Sequence, residues 1–244
     1  MSLRLLRKSW EQLGATDPFW AILTDPAKKN NGWDKGEFFQ TGVWEIQHIL
    51  EWVERVHPLT AKNLALDFGC GVGRLSQPLG DHFQEVRGVD ISSSMIELAR
   101  GFNRHGDRCR YLLNTENDLA LFQDATFDFV YSSITLQHIR PRFTQLYLAE
   151  FARVLRPGGV MVFQLPARTR LGRWRRLREW VYTAYYGLFM PLFKPASAII
   201  EMHAIEPDAV RGCLNAAGAR LLEVVPDSSA GPGWESFRYM VTKD

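Results

Sequence analysis

Three glycines and two aspartates pose the first chemical question. Between residues 64 and 74 the apolar run Leu64, Ala65, Leu66 and Phe68 carries Asp67 and then breaks into Gly69-Cys70-Gly71-Val72-Gly73. Such a run entering a glycine-rich turn reads as a buried parallel strand whose tip lets a ligand approach the main chain closely. Seventeen residues beyond Gly73, the run Val86-Arg87-Gly88-Val89 ends on Asp90. An acid at a neighbouring strand tip can accept both hydroxyls of a ribose. A dinucleotide loop needs Gly-x-Gly-x-x-Gly, with a pyrophosphate on the helix N-terminus that follows. Here Arg74 stands where that third glycine is required. The negative charge of Asp67 also repels a diphosphate and suits an ammonium group. The expected ligand is therefore a nucleoside bearing an amino-acid ammonium.

Four stretches, LDFGCGVGRL (66–75), GVDISSSMIELAR (88–100), FDFVYSSITLQHI (127–139) and FARVLRPGGVMVFQLP (151–166), occur in the order found in a known family. Together they resemble the class I S-adenosylmethionine-dependent methyltransferases, most closely the branch of quinone-biosynthesis methyltransferases. The resemblance implies S-adenosyl-L-methionine as cofactor, held by Asp67, Gly69, Cys70, Gly71 and Gly73 at the first strand tip and by Asp90 and Ile91 at the second. Met95 follows the ribose acid closely enough to lie against an adenine ring, or it is plain core. The resemblance puts the adenine amino group at the third strand tip. Residue count points there to Thr115 and Glu116, with Asn117 and Asp118 as rivals, because relatives carry an aspartate where Thr115 stands. Ser132 and Ser133 close the fourth strand near the point where the sheet order reverses and ligands collect. His138, just past that tip, occupies a place that faces the transferable methyl in many relatives. It is the catalytic candidate, as a wall of the acceptor site or as a general base.

The elements that must position these residues alternate. Strands are expected at 63–68, 84–90, 108–114, 127–134 and 160–165, with helices at 72–82, 92–104 and 141–155 between them. Such alternation implies right-handed crossovers and a doubly wound, parallel α/β sheet. A helix at 207–217 and strands at 219–225 and 236–242 follow; the short connection between those two strands holds no crossover helix, which makes them antiparallel. In the family resembled, such a hairpin completes a Rossmann-like seven-stranded sheet. Ser94 and Glu97 form a capping-box pattern. Residues 36–56 read as a helix with Phe39, Val43, Ile46, Leu50 and Val53 facing inward. The expected organisation over 1–244 is one domain: a helical cap (1–58), the cofactor-binding core (59–166), a lid-like insertion (167–205), and the final helix and hairpin (206–244). The cap either packs on the sheet or forms a flap at the cofactor mouth.

Composition sets the bounds. A chain of 244 residues with 46% apolar content and a net charge of +2 suits one α/β domain with a full core. Six arginines and no acid fall between residues 168 and 178; elsewhere 23 basic residues face 27 acidic ones. That balance argues against a nucleic-acid partner. Projected on a helix, Leu171, Trp174, Leu177, Val181, Tyr185 and Leu188 share an arc that most of these arginines avoid. This basic amphipathic segment is either a helix packed on its own domain or a lid. As a lid, Tyr185, Tyr186, Phe189 and His203 would line a pocket for a small-molecule, lipid-like or glycan-precursor acceptor. Arginines beside aromatics also suit docking at an anionic membrane surface. Cys70, Cys109 and Cys213 match no zinc spacing, no metal cluster is visible, and a cytoplasmic setting is expected. The N-terminus lacks the apolar core of a signal peptide. Two other readings stand beside methyl transfer: a nicotinamide oxidoreductase, disfavoured by the glycine spacing, and a cofactor-binding regulator without catalysis.

Overall fold

The alternating apolar runs become strands β1 (Leu64–Phe68), β2 (Glu85–Asp90), β3 (Cys109–Leu113), β4 (Phe127–Ser132) and β5 (Leu155–Thr169). The structure is a computed structural model and describes residues 3–170 and 200–244. With β6 (Ala219–Asp227) and β7 (Trp234–Lys243), these strands form one sheet of order β3-β2-β1-β4-β5-β7-β6. The first five run parallel, and β7 lies antiparallel between β5 and β6. The expected doubly wound sheet with an antiparallel C-terminal hairpin is thus observed. The order reverses between β1 and β4, which opens a crevice at their carboxyl ends.

Both sheet faces are covered, which is why the strands read as continuous apolar runs rather than alternating ones. On one face Leu66, Phe68, Val130 and Phe163 pack with Leu148 and Phe151 of α6 (Pro141–Val154) and Leu214 of α7 (Pro207–Ala216). On the other, Ala65, Val86, Phe129 and Val162 meet Ile46 and Val53 of α3 (Lys35–Val56) and Leu79 of α4 (Ser76–His82). The N-terminal α1 (Leu3–Thr16) and α2 (Pro18–Ile22) lie at the strand tips, where α1 packs on α5 (Ser93–Phe102).

Several expectations are corrected. The buried face of α3 is Phe38, Gly42, Ile46, Ile49, Trp52 and Val53, so the helix is turned relative to the predicted stripe, and Phe39, Val43 and Leu50 are only half-buried. Gly42 sets that rotation: a β-carbon there would lie 2.1 Å from the Arg74 carbonyl oxygen, so the helix backbone rests directly on the glycine-rich loop. The cap of α5 is Ser92, whose hydroxyl accepts the Met95 amide at 3.3 Å, and not the Ser94/Glu97 pair. Strand β5 is longer than predicted and starts as α6 ends, with Pro157-Gly158-Gly159 inside it. Arg168, placed by sequence on the amphipathic segment, belongs to β5 and pairs with Glu235 of β7 at 2.9 Å. The remainder of that segment, 171–193, lies outside the described residues. No helix among the described residues is long and apolar enough to cross a membrane.

Candidate active site

Main-chain hydrogen bonds bind the first two strand tips together. The amides of Gly69 and Cys70 both donate to the Val89 carbonyl, at 2.7 and 3.0 Å. Asp90 completes the junction: one carboxylate oxygen accepts the Gly71 amide and the other the Ser92 amide, each at 2.9 Å. Burial pushes the Asp90 carboxyl up, and these amides only partly offset that. Each oxygen has further lone-pair capacity, and Asp90 borders the cavity at the crevice.

That cavity encloses about 900 Å³, including the space at its open mouth. Its floor is Phe68, Gly69, Cys70, Gly71, Arg74 and Leu75, and Asp90, Ile91 and Met95 border it from β2 and α5. Asn114 enters from the β3 tip, and Ser133, Ile134, Thr135, His138 and Ile139 enter from the segment after β4. The N-terminal helices supply Leu3, Leu6, Trp10, Ala21 and Ile22. Helices α1 and α2 therefore border the crevice.

The structure brings Gly69, Cys70, Gly71, Asp90, Ile91, Met95 and His138 to this one cavity. Other sequence-predicted residues stand elsewhere. Asp67 points under α4, accepts the Ser76 hydroxyl at 2.5 Å, and does not line the cavity. Its isolation from water raises its carboxyl to about 7, so it is not the fixed anion expected to face an ammonium group. Gly73, at φ +85°, makes room for a protein group rather than a ligand: a β-carbon would meet the Tyr111 hydroxyl at 2.6 Å. Ser132 is buried and donates to the Phe68 carbonyl at 3.1 Å, and its neighbour Ser133 lines the cavity instead. Thr115, Glu116 and Asp118 do not line it either. Strand β3 ends at Leu113, so the tip residue is Asn114. Its side chain donates to the Asp118 carbonyl at 2.7 Å and accepts the Glu116 amide at 3.1 Å.

Three features were missed by sequence reasoning. Arg74 lines the cavity; it bonds Glu45 at 2.8 Å and Thr41 at 3.3 Å, but its Nε has no hydrogen-bond partner. Its place directly after the glycines was the available signal. Glu11 of α1 accepts the Ser93 amide at 2.7 Å and the Ser94 amide at 3.0 Å, and the hydroxyls of Ser92 and Ser93 besides. Burial alone would raise its carboxyl, but those donors overcome the effect and bring it down to about 2. No sequence pattern announces this long-range cap. Trp10 stands edge-on to His138, with ring centroids 5.5 Å apart.

His138 donates from Nδ1 to the Glu201 carbonyl at 3.0 Å. Burial lowers its imidazole to about 4, against the pull of that carbonyl, so the ring is neutral at pH 7. A neutral imidazole with one nitrogen committed as donor offers the other as a proton acceptor. The described residues contain no cluster of metal-ligating side chains.

Comparisons with known proteins agree with this arrangement. Residues 66–163 match the family model described as a methyltransferase domain. The chain is 26% identical over 178 residues to a ubiquinone biosynthesis O-methyltransferase of Coxiella burnetii, covering 72% of this chain and 70% of the relative. It is 29% identical over 160 residues to a demethylmenaquinone methyltransferase of Staphylococcus haemolyticus, covering 64% and 62%. Among solved structures, magnesium protoporphyrin IX methyltransferase from Synechocystis PCC 6803 with bound SAH superposes with a TM-score of 0.68 at 17% identity, over 99% of each chain. A glycine loop joined through an acid to the next strand tip, on this sheet order, gives residues 66–163 the arrangement of a methyltransferase domain within the Rossmann-like fold of the solved methyltransferase.

Proposed function

We propose that this enzyme methylates a hydroxyl oxygen of an uncharged, largely apolar small molecule. The observation that carries the reading is the cavity wall built by α1 and the segment after β4. Leu3, Leu6, Trp10, Ile134 and Ile139 line it, with the neutral His138 as a polar group able to take a proton. Such a wall desolvates an apolar acceptor, and a neutral imidazole assists a hydroxyl that must lose its proton. Relatives named as O-methyltransferases support the choice of oxygen.

The residues present fit the cofactor. Asp90 keeps lone pairs for ribose hydroxyls, Ile91 and Met95 offer an apolar surface to a purine, and Asn114 stands at the third strand tip. Arg74 Nε, buried and without a partner, suits the α-carboxylate of the amino-acid end. When bound, S-adenosylmethionine supplies a methyl group on a positively charged sulfur. The chain aligns the acceptor oxygen with that methyl and excludes water, and positioning of this kind is worth ~7–11 kcal/mol. In this reading residues 1–58 act as a cap that shares in binding.

A panel of apolar phenols and alcohols, set against amines and carboxylic acids, tests the reading by mass-spectrometric detection of methylated product. Turnover of hydroxyl acceptors is expected; methylation confined to amines or carboxylates would overturn it. His138→Gln should lower kcat by ~10²-fold or more while cofactor affinity stays within about twofold.

A further inference from the structure

A chain of buried side-chain amides runs from a strained backbone position to His138. Ile134 has φ +50°, a left-handed conformation that is rare for a β-branched residue. Its amide donates to Gln164 Oε1 at 3.2 Å. Gln164, on β5 and 1% exposed, donates from Nε2 to Ser236 Oγ at 2.6 Å and to Gln137 Oε1 at 3.3 Å. Gln137 Nε2 then meets His138 Nε2 at 3.2 Å, and His138 Nδ1 meets the Glu201 carbonyl at 3.0 Å.

Both ends of this chain are main-chain groups, so its direction is not free. The Ile134 amide can only donate, which fixes Oε1 of Gln164 toward it and Nε2 toward Gln137. Gln137 must then accept on Oε1 and turn its own Nε2 hydrogens to the imidazole. The Glu201 carbonyl can only accept, which places the imidazole proton on Nδ1. Every link agrees with its neighbours, and reversing any one amide sets donor against donor.

We propose that Gln164 is a positioning residue for the acceptor site: it fixes the polarity of this relay, holding His138 as the Nδ1–H tautomer with its Nε2 lone pair committed to Gln137 until an acceptor hydroxyl takes that place. This rests on the assignment of His138 to the acceptor side. The hydroxyl proton would pass to Nε2 as the oxygen electron pair takes the methyl carbon that bound S-adenosylmethionine would supply, the carbon–sulfur pair staying with the leaving sulfur. The imidazolium then releases its proton to water. Gln164 also holds Ile134, which lines the cavity, in its strained conformation, so the same residue shapes the acceptor wall. Charged and titratable groups on the elements around His138 are Glu201 and His203 on the segment before α7, Arg140 at the start of α6, and Cys70, Arg74, Asp90 and Tyr147, which line the same cavity. His203 Nε2 lies 3.2 Å and Arg140 Nε 3.9 Å from the Glu201 carboxylate. Glu11, one residue from Trp10, is turned to the serines of α5.

Nitrogen NMR of the histidine side chains reads the tautomer directly, with His138→Gln assigning the resonance. The wild type should show a neutral Nδ1–H ring at pH 7. In Gln164→Glu the carboxylate still accepts the Ile134 amide but offers no donor to Gln137. Gln137 then reverses and presents oxygen to Nε2, and the ring should bind its second proton ~1–3 pH units higher. In Gln164→Glu/Gln137→Met the relay is cut, so that rise should disappear. Gln164→Met should raise the acceptor KM about tenfold or more with cofactor affinity unchanged. An Nε2–H ring in the wild type overturns the proposal whatever the activity, as does an equal titration rise in the double variant, which would mark a plain charge effect. A correct tautomer combined with full activity of His138→Gln would instead sink the acceptor-side reading and leave the relay intact.

Discussion

Asp90 is fastened by main-chain donors before any ligand arrives. The Gly71 and Ser92 amides each take one carboxylate oxygen, which aims the remaining lone pairs and ties the glycine loop to β2. Asp90→Ala should weaken S-adenosylmethionine binding by about 1.5–3 kcal/mol, roughly 10- to 150-fold in calorimetry. Unchanged affinity in a folded variant would remove Asp90 from the cofactor site. His138 supplies a second test at this scale. Its folded-state value of about 4 lies below the ordinary 6.5, so between those pH values the unfolded chain binds more protons than the native one. Stability therefore falls as pH drops from 6.5 toward 4. Urea midpoints followed over that window should fall less in His138→Gln than in the wild type.

At the scale of elements, α1 is held over the cavity by one carboxylate. Glu11 takes the first free amides of α5, where the helix dipole and unpaired donors both favour an anion. Leu3, Leu6 and Trp10 on the same helix then form cavity wall. Glu11→Ala should cost about 1–3 kcal/mol of stability and speed proteolysis near the N-terminus. Because the Glu11 carboxyl is held down at about 2, its contribution is complete above the ordinary value of 4.5 and is lost as pH falls toward 2. Cleavage and denaturation profiles matching those of the wild type at pH 7 would show that α1 is held by its apolar face alone.

Across the whole molecule, a buried ionic network joins α3 to the two strands of the C-terminal hairpin. Glu45 of α3 pairs with Arg74 at 2.8 Å and with Arg238 of β7 at 3.6 Å, and it accepts the Tyr131 hydroxyl at 2.7 Å. Arg238 also meets Asp227 of β6 at 2.8 Å. Burial would raise the Glu45 carboxyl, but the two guanidiniums bring it to about 2. Removing one partner strands the others in a low-dielectric interior. Arg238→Met should therefore destabilise the fold by about 3–5 kcal/mol in urea denaturation. A loss under 1 kcal/mol would mean that water reaches these groups once the arginine is gone.

The sheet, its reversal point, the antiparallel hairpin and the junction of the glycine loop with Asp90 were legible because local chemistry sets them. Apolar runs covered on both faces, glycines at a turn and an acid at a strand end are properties of short segments. Residues such as Gly69, Gly71, Asp90 and His138 could be placed near one crevice for that reason. What the sequence left open depends on partners distant along the chain. Asp67 and Gly73 sit in the same motif as Gly71, yet the alternation of β1 turns Asp67 under α4, and Tyr111 occupies the space above Gly73. A strand that ends one residue early puts Asn114, not Thr115, at the β3 tip. The rotation of α3 follows from Gly42 resting on Arg74, and the grip of Glu11 on α5 spans more than 80 residues. The direction of the amide chain ending at His138 is decided only where β4, β5, β7 and the segment before α7 converge. A buried amide has no preferred orientation of its own and takes one from the fixed donors and acceptors that packing brings to it.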